Sequence, residues 1–216
     1  DYLKIIKKKS KGLIARYKMT GLVLLGIFIC LFIQQTPEGY HIVIEKGISS
    51  SIPITSTSIP FIADGYINLG IFYYILIILV ISGASNAVNL TDGLDGLSTG
   101  LTAIACGVFA IIAYASSRAD FSDYLNIIFI PYSGELFIFC LAVIGSCIGF
   151  LWFNAHPAKI FMGDIGSLSL GAALGTLAIL FKKEILLIIV GGVFVIESAT
   201  VIIQILYFRY TKSKYG

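Results

Sequence analysis

The sequence contains six apolar stretches, each long enough to cross a lipid bilayer as a helix. A bilayer core needs about 20 consecutive, mostly apolar residues in helical form. Five of the stretches contain no charged side chain, and Glu197 interrupts the sixth. The stretches are residues 19–37, 65–91, 96–117, 136–158, 165–181 and 185–208. This pattern predicts an all-α polytopic integral membrane protein with about six transmembrane helices, in a single transmembrane domain that covers residues 1–216.

The composition excludes the main alternatives to a membrane protein. Of the 216 residues, 57% are hydrophobic and only 12% are charged. Soluble domains carry about a quarter charged residues, and disordered chains combine low hydrophobicity with high charge. The chain therefore fits neither a soluble globular domain nor a disordered protein.

The basic residues predict which ends of the spans face the cytoplasm. An even number of spans places both chain ends on one side of the membrane. Together with Lys159, those ends hold 11 Lys and Arg, against 4 on the other side. Cytoplasmic segments are enriched in Lys and Arg, so we expect both ends, and segments 86–96 and 154–164, in the cytoplasm. The same rule and contact with anionic lipid account for the basic run at 4–18.

The only long connection between spans, residues 38–64, lies on the opposite, extracytoplasmic side. Residues 40–45 are rich in β-formers, residues 46–47 resemble a turn, and residues 48–54 predict a returning strand. We therefore expect a small β-hairpin, with a Ser/Thr/Pro-rich loop as the alternative.

Segment 86–96 carries regularly spaced polar residues at the end of the second span. They recur at every third position: Asn86, Asn89, Asp92 and Asp95. An α-helix has 3.6 residues per turn, so a regular helix cannot point all four at one site. Gly93 and Gly96 allow the chain to leave the helix. We predict that the span ends near Thr91 and that a glycine-rich turn presents the two aspartates. The alternative is an Asx-type helix cap and turn.

Segment 154–164 combines a helix breaker, glycine, an acid and a base. Pro157 stops a continuing helix, and Gly163 allows close approach to the backbone. Asp164 and Lys159 suit a phosphate held by magnesium, because magnesium prefers one or two carboxylates plus phosphate oxygens and water, while Lys supplies a point charge. The alternative for Asp164 is an ordinary helix N-cap.

A few further residues are candidates, each with a structural alternative. His156 is a candidate base or ligand, although a single His before Pro is more often structural. Phe161 is a candidate for stacking on a nucleobase, with helix packing as the alternative. Asp1 and Lys4 share one face if they are helical. Glu197 is expected to face protein or water and to mark a bend in the sixth span.

At two segments the sequence resembles a known family. The stretches NAVNLTDGLDGLSTG (86–100) and FNAHPAKIFMGDIGSLSLG (153–171) resemble the polyprenyl-phosphate N-acetylhexosamine-1-phosphate transferases. The form Asn-Ala-His-Pro-Ala-Lys favours the members that transfer phospho-MurNAc-pentapeptide over those that transfer GlcNAc-1-phosphate. The order of the spans also fits, so the resemblance covers essentially the whole chain.

The resemblance implies a magnesium-dependent enzyme of about ten helices, usually a homodimer, in the bacterial inner membrane. It would act at the cytoplasmic face and transfer phospho-MurNAc-pentapeptide from its UDP carrier (UDP-MurNAc-pentapeptide) to undecaprenyl phosphate, giving lipid I and UMP. We expect membrane lipid to be a further partner. We expect no nucleic acid partner.

The resemblance also implies roles for individual residues. Asp1 and Lys4 match the second Asp and the Lys of the family's Asp-Asp-x-x-Lys motif. The acidic positions that the family uses in catalysis and magnesium binding are matched by Asp92, Asp95 and Asp164. Positions near the nucleotide are matched by Asn86, Asn89 and Phe161. We add Lys4, Gly93, Leu94, His156 and Lys159 as candidate substrate-binding residues.

The resulting mechanistic hypothesis divides the work among these side chains. Asp164, with Asp92, would hold magnesium, and Asp1 would deprotonate or orient the lipid phosphate. Asp92 and Asp95 would position the uridine diphosphate or support the metal. Lys4 and Lys159 would hold phosphates, because cations neutralise the charge that develops in phosphoryl transfer. Direct attack by the lipid phosphate and a two-step route through an enzyme carboxylate both fit.

Two departures from the family pattern and three alternative functions bear on this interpretation. The first Asp of the pair and the family's histidine-rich loop are absent, so we predict that the chain is a fragment of a longer enzyme.

The nearest alternative is a GlcNAc-1-phosphate transferase for teichoic acid or O-antigen. A transporter would use Glu197 to line its path, but it predicts internal pseudo-symmetry, and the halves share no motif. The third alternative is a catalytically silent membrane scaffold.

Overall fold

The computed structural model describes residues 15–35, 40–43, 49–62 and 65–215. Within that part of the chain the helices are α1 Ala15–Gln34, α2 Phe72–Thr91, α3 Leu97–Ser116, α4 Ala119–Tyr124, α5 Gly134–Asn154, α6 Gly163–Leu180, α7 Glu184–Val190 and α8 Gly192–Tyr215. The strands are β1 His41–Val43, β2 Ser49–Ser51, β3 Ser56–Ser58 and β4 Tyr66–Asn68. Six of these helices, all except α4 and α7, are long and apolar enough to cross a membrane. The predicted fold class is confirmed.

Two of the predicted spans are too long at one end. The span predicted from residue 65 begins as a helix only at Phe72, because residues 66–68 form β4. The span predicted to end at residue 158 ends at Asn154, where the next residue, Ala155, has an extended backbone. Pro157 lies directly beyond and has no N–H to continue the helix.

The sixth predicted span, 185–208, is two helices rather than one. The helix is interrupted at Gly191, between the short helix α7 and the long helix α8. The expected bend at Glu197 is wrong, because this residue lies inside α8 and is half-buried there. A glycine, which has no Cβ, interrupts the helix more readily than a glutamate does.

The predicted β-hairpin is present. β1 and β2 pair in antiparallel fashion, with His41 opposite Ser51 and Val43 opposite Ser49. The predicted turn at 46–47 lies outside the described residues. A second antiparallel hairpin, β3 with β4, pairs Ser56 with Asn68 and was not predicted. Its residues were assigned to the loop and to the start of the second span.

Helices α2 and α6 form the centre of the bundle. Their packing is close because Gly171 of α6 lies against the backbone of α2. A Cβ at Gly171 would lie 2.5 Å from the carbonyl oxygen of Ala84. Small residues allow membrane helices to approach in this way. One cluster of buried apolar side chains joins α2, α3, α5, α6 and α8, and a second joins α1, α2 and α6.

The antiparallel helices create two ends of the bundle with different contents. One end holds the start of α1, the α2–α3 turn and the α5–α6 loop; we call it the site end. The other holds the four strands, the start of α2 and the α6–α7 turn; we call it the strand end. Candidate acidic residues far apart along the chain therefore meet at the site end.

Candidate functional site

The α2–α3 turn presents the first group of predicted residues. Helix α2 ends at Thr91, as predicted, and Asp92 follows as its C-cap residue. Gly96, the N-cap residue directly before α3, has a φ of 72°, in the left-handed region that glycine adopts without strain. Asp92 and Asp95 therefore lie in the glycine-rich turn between α2 and α3.

The α5–α6 loop closes tightly on the end of α5. The buried side chain of Asn154 shapes it: its amide donates to the Ile160 carbonyl at 2.9 Å, and its oxygen accepts from the Thr99 hydroxyl at 3.0 Å. The Lys159 N–H donates to the Phe153 carbonyl at 2.8 Å. The loop is thus held both to α5 and to α3.

Asp95 joins the turn to this loop. Its Oδ2 lies 2.9 Å from Nδ1 of His156 and accepts the Ala158 N–H at 3.1 Å. These two donors hold the pKa of the Asp95 carboxyl below its usual range, with the Ala158 N–H as the larger cause. Asp95 is therefore ionised near neutral pH, and its contacts connect two segments 61 residues apart.

Asp92 and Asp164 lie close enough to influence each other. Burial is the main reason that the pKa of Asp92 is raised, and the negative charge of Asp164 raises it further. The Gly163 N–H donates to Asp92 and partly offsets the rise. Asp164 is in the first turn of α6, and its side chain is 48% exposed. Two carboxylates are thus close in space where the end of α2 meets the start of α6.

A lysine from α1 completes this arrangement. Lys18 forms an ion pair with Asp164, although 146 residues separate them in the sequence. Its side chain is 26% exposed. The ion pair brings a positive charge of the basic run directly to the carboxylate pair.

Asn89 and Asn86 have different surroundings, although both belong to α2. Asn89 is half-buried, and its side-chain oxygen lies 2.7 Å from the Ser167 hydroxyl of α6. Asn86 is exposed and donates to the carbonyl of Ser82 at 2.7 Å, one turn earlier in its own helix. The structure thus places Asn89, but not Asn86, at the contact with α6.

The remaining predicted residues lie around this centre or outside the described residues. Four are exposed at the site end: Gly93, Leu94, Lys159 and Phe161. The side chain of His156 is 86% exposed. Asp1 and Lys4 lie outside the described residues.

The fit to a divalent ion rests on the pair Asp92 and Asp164. Within the described part of the chain, no group of three or more His, Cys, Asp or Glu side chains is placed to hold a metal ion. Magnesium, however, takes one or two carboxylates and completes its octahedron with phosphate oxygens and water. Two carboxylates with only oxygen donors, partly open to solvent, suit that chemistry. The magnesium site remains a prediction.

Three residues of this site were not predicted. Lys18 was counted only in the basic run, and its position beside the first span was the available signal. Ser167 contacts Asn89, and Asn154 holds the loop. An isolated amide at the end of the apolar span 136–158 was the sequence signal for Asn154, but its partners are set by contacts between helices.

A groove with apolar walls runs along α2, between that helix and α7 and α8. Its volume is about 550 Å³, and Leu76 and Leu90 of α2 mark its length. Ile188 of α7 and Ile202 of α8 line the opposite side. Asn86 lies in its lining toward the site end, and Glu184 toward the strand end.

Comparison with known proteins shows the family. The model of glycosyl transferase family 4 matches residues 9–182. A phospho-N-acetylmuramoyl-pentapeptide-transferase of Thermodesulfovibrio yellowstonii is 49% identical over 99% of this chain and 56% of its own length. Proteins of the same name from Desulfosudis oleivorans and Chlorobium limicola are 48% and 44% identical over 99% and 100% of this chain, and 56% of their own length.

These matches set the scope of the assignment. The chain spans about half the length of the curated relatives it matches, at 56%. The family model covers most of the chain, including both motifs and all three aspartates of the site end. The resemblance identified from the two motifs is confirmed, and the chain belongs to glycosyl transferase family 4.

Proposed function

We propose that the full-length protein transfers phospho-MurNAc-pentapeptide from UDP-MurNAc-pentapeptide to undecaprenyl phosphate. An oxygen of the lipid phosphate attacks the phosphorus next to the sugar, the bond to UMP breaks, and lipid I and UMP are the products. The observation that carries this proposal is the meeting of Asp92, Asp95 and Asp164 at one end of a membrane bundle. The names of the relatives support the choice of substrate.

The arrangement of charges suits a reaction between two anionic phosphates. Asp92 and Asp164 would hold magnesium, which, when bound, neutralises the charge that develops on the phosphates. Lys159, exposed on the α5–α6 loop, would hold a phosphate of the nucleotide. Lys18 holds Asp164 in place beside Asp92. Asp1 and Lys4 keep their proposed roles toward the lipid phosphate.

The apolar groove supports a lipid acceptor. It follows α2 within the membrane-spanning part and has Asn86 in its lining, six residues before Asp92. A polyprenyl chain in the groove would bury apolar surface while its phosphate reached the site end. Phe161, exposed nearby, would stack on the uracil base, since aromatic rings bind nucleobases through their faces.

A direct assay of both sugar donors tests this proposal. Purified full-length protein would be mixed with undecaprenyl phosphate, Mg²⁺ and either UDP-MurNAc-pentapeptide or UDP-GlcNAc, and UMP release would be measured. We expect UMP and lipid I only from the first donor, and loss of activity on chelation by EDTA. Activity with UDP-GlcNAc alone would instead identify a GlcNAc-1-phosphate transferase. Inactivity with both donors would refute the transferase function.

We also propose that the site end faces the cytoplasm of the bacterial inner membrane, because 11 of the 15 Lys and Arg belong to that side. Single cysteines would be introduced at Lys159 on the site end and at Phe61 on the strand end. All four cysteines of this chain are buried, which keeps their background labelling low. In intact cells, a membrane-impermeant maleimide should label Phe61→Cys but not Lys159→Cys. The opposite pattern would reverse the orientation.

A homodimer, implied by the family, would be tested by light scattering in detergent.

A further inference from the structure

The exposed histidine of the α5–α6 loop is attached to an aspartate of the α2–α3 turn. Asp95 receives both of its hydrogen bonds from that loop, at His156 Nδ1 and at the Ala158 N–H, and both reach the same oxygen, Oδ2. Within the part of the chain that the structure describes, Asp95 makes no other hydrogen bond. One carboxylate oxygen is therefore engaged by the loop, and Oδ1 accepts no hydrogen bond from the described residues.

The chemistry of the contact defines which ring nitrogen of His156 carries the hydrogen toward Asp95. An ionised carboxylate only accepts hydrogen bonds, so Nδ1 of His156 must carry the hydrogen. In the neutral imidazole, Nε2 is then an acceptor, and the side chain as a whole is 86% exposed. The role of the ring toward Asp95 is thus that of a donor at Nδ1. An asparagine side chain supplies a donor at nearly the same distance from the backbone.

The position of this contact gives it a consequence for the nucleotide. The residues directly after His156 include Lys159 and Phe161, both exposed and both candidates for binding the UDP part. The contact with Asp95 fixes their loop relative to Asp92, three residues earlier in the turn. Asn154 fixes the other side of the same loop.

The magnitude of such a contact indicates where its effect appears. Exposed ion pairs contribute little to stability, so the fold does not depend on this one. We propose that His156 is a positioning residue, which holds Asp95 and the α5–α6 loop in the geometry that binds the uridine diphosphate part of the donor. This inference rests on the proposed function. Its effect is on the affinity for the nucleotide substrate rather than on the chemical step.

The test compares full-length His156→Ala and His156→Asn with the wild type. A single lost hydrogen bond typically weakens binding about threefold to tenfold. We expect this rise in KM for UDP-MurNAc-pentapeptide in His156→Ala, a kcat within about twofold, and recovery of KM in His156→Asn. The matched control is His41→Ala, since the second histidine of this chain lies in β1 at the strand end. It should leave both constants unchanged.

A double-mutant cycle and a binding measurement complete the test. The variant His156→Ala/Asp95→Ala should bind UMP no more weakly than Asp95→Ala alone, because coupled residues are not additive. Calorimetry with UMP gives this result independently of turnover. An unchanged KM in His156→Ala, no recovery by Asn, or full additivity would each overturn the inference. An inactive wild type that still binds UMP in this pattern would refute the proposed function alone.

Discussion

The two ends of the bundle both carry ionisable side chains where helices turn, but they treat them in opposite ways. At the strand end, Lys182 is fully buried and Glu184 is only 3% exposed. At the site end, Asp164 and His156 have side chains that are 48% and 86% exposed. The charged groups of the α6–α7 turn therefore hold the fold together, while Asp164 and His156 at the site end remain accessible to a ligand.

The strand end satisfies its buried charges completely. Lys182 donates to the Ile54 carbonyl and to the Tyr73 hydroxyl, and its ammonium lies 4.2 Å from the centre of the Tyr73 ring. Tyr73 and Thr57 in turn donate to the two oxygens of Glu184. A buried charge is tolerated only when it is paired and hydrogen-bonded. These contacts attach the α6–α7 turn to α2 and to the second hairpin.

The pKa shifts distinguish groups that are desolvated by burial from a carboxylate that is held by hydrogen-bond donors. Burial lowers the pKa of Lys182 to about 8, against the opposing effect of Glu184, and burial raises the pKa of Glu184. At the site end, by contrast, the pKa of Asp95 is lowered by hydrogen bonds to a loop. Desolvation is thus the leading cause of the pKa shifts of Lys182 and Glu184, and also of Asp92 at the site end. Hydrogen-bond donors are the leading cause only for Asp95, whose side chain is 26% exposed.

The largest effect that would sharpen this comparison is expected for Asp164→Asn. Removing the charge should lower turnover by at least about a thousandfold, since a metal contributes several kcal/mol to stabilising the transition state. Thermal stability in detergent should change little, because the side chain is half exposed. UMP release and a melting curve measure the two quantities. Near-normal activity would remove Asp164 from the proposed magnesium site.

For Glu184→Ala, by contrast, the large effect is expected on stability. Loss of a buried, hydrogen-bonded charge that leaves its partners behind costs about 3–5 kcal/mol of unfolding free energy. Lys182, Tyr73 and Thr57 would all lose their direct or indirect support. The control is Glu135→Ala, at an exposed position in the first turn of α5, which should change stability by less than about 0.5 kcal/mol. Equal melting temperatures for the two variants would contradict the structural role of the strand end.

An intermediate effect on both quantities is expected for Gly171→Leu. The new side chain would collide with the backbone at Ala84 and Ser85, and overpacking of this kind costs about 1–3 kcal/mol. Because α2 and α6 carry Asp92 and Asp164, turnover should fall as well. At Gly149 a Cβ would meet nothing within 4 Å, so Gly149→Leu is the matched control. Full activity in Gly171→Leu would show that the site does not need this close packing.

The smallest effect is expected for Lys18→Met. Asp164 would lose its cationic partner, and we expect turnover to fall about tenfold, the scale of one charge-assisted hydrogen bond. Lys18→Arg should restore most of the activity, since it keeps the charge. Lys212→Met, near the end of α8, is the control for a general loss of positive charge. An unchanged rate in Lys18→Met would restrict Lys18 to the topological role first inferred from the sequence.

The spans were predictable because every helix that crosses a bilayer needs about 20 mostly apolar residues. Five of the six predicted windows contain a single transmembrane helix, and the end of α2 at Thr91 followed from the glycines after it. The second hairpin was missed because its strands are only three residues long and Tyr66–Asn68 is continuous with an apolar run. The break at Gly191 was missed because one glycine among apolar residues resembles the others in the spans.

The sequence alone determined the number of spans, the sharing of one end by segments 86–96 and 154–164, and the motifs that identify the family. Hydrophobic length and the antiparallel order of helices are properties of the chain read from one residue to the next. The tertiary structure decided which side chains meet: Lys18 with Asp164, His156 with Asp95, and Tyr73 with both Lys182 and Glu184. Such contacts depend on how the helices rotate and pack against each other. Glycines such as Gly171 control that packing because they let two helices that are distant in the sequence approach closely.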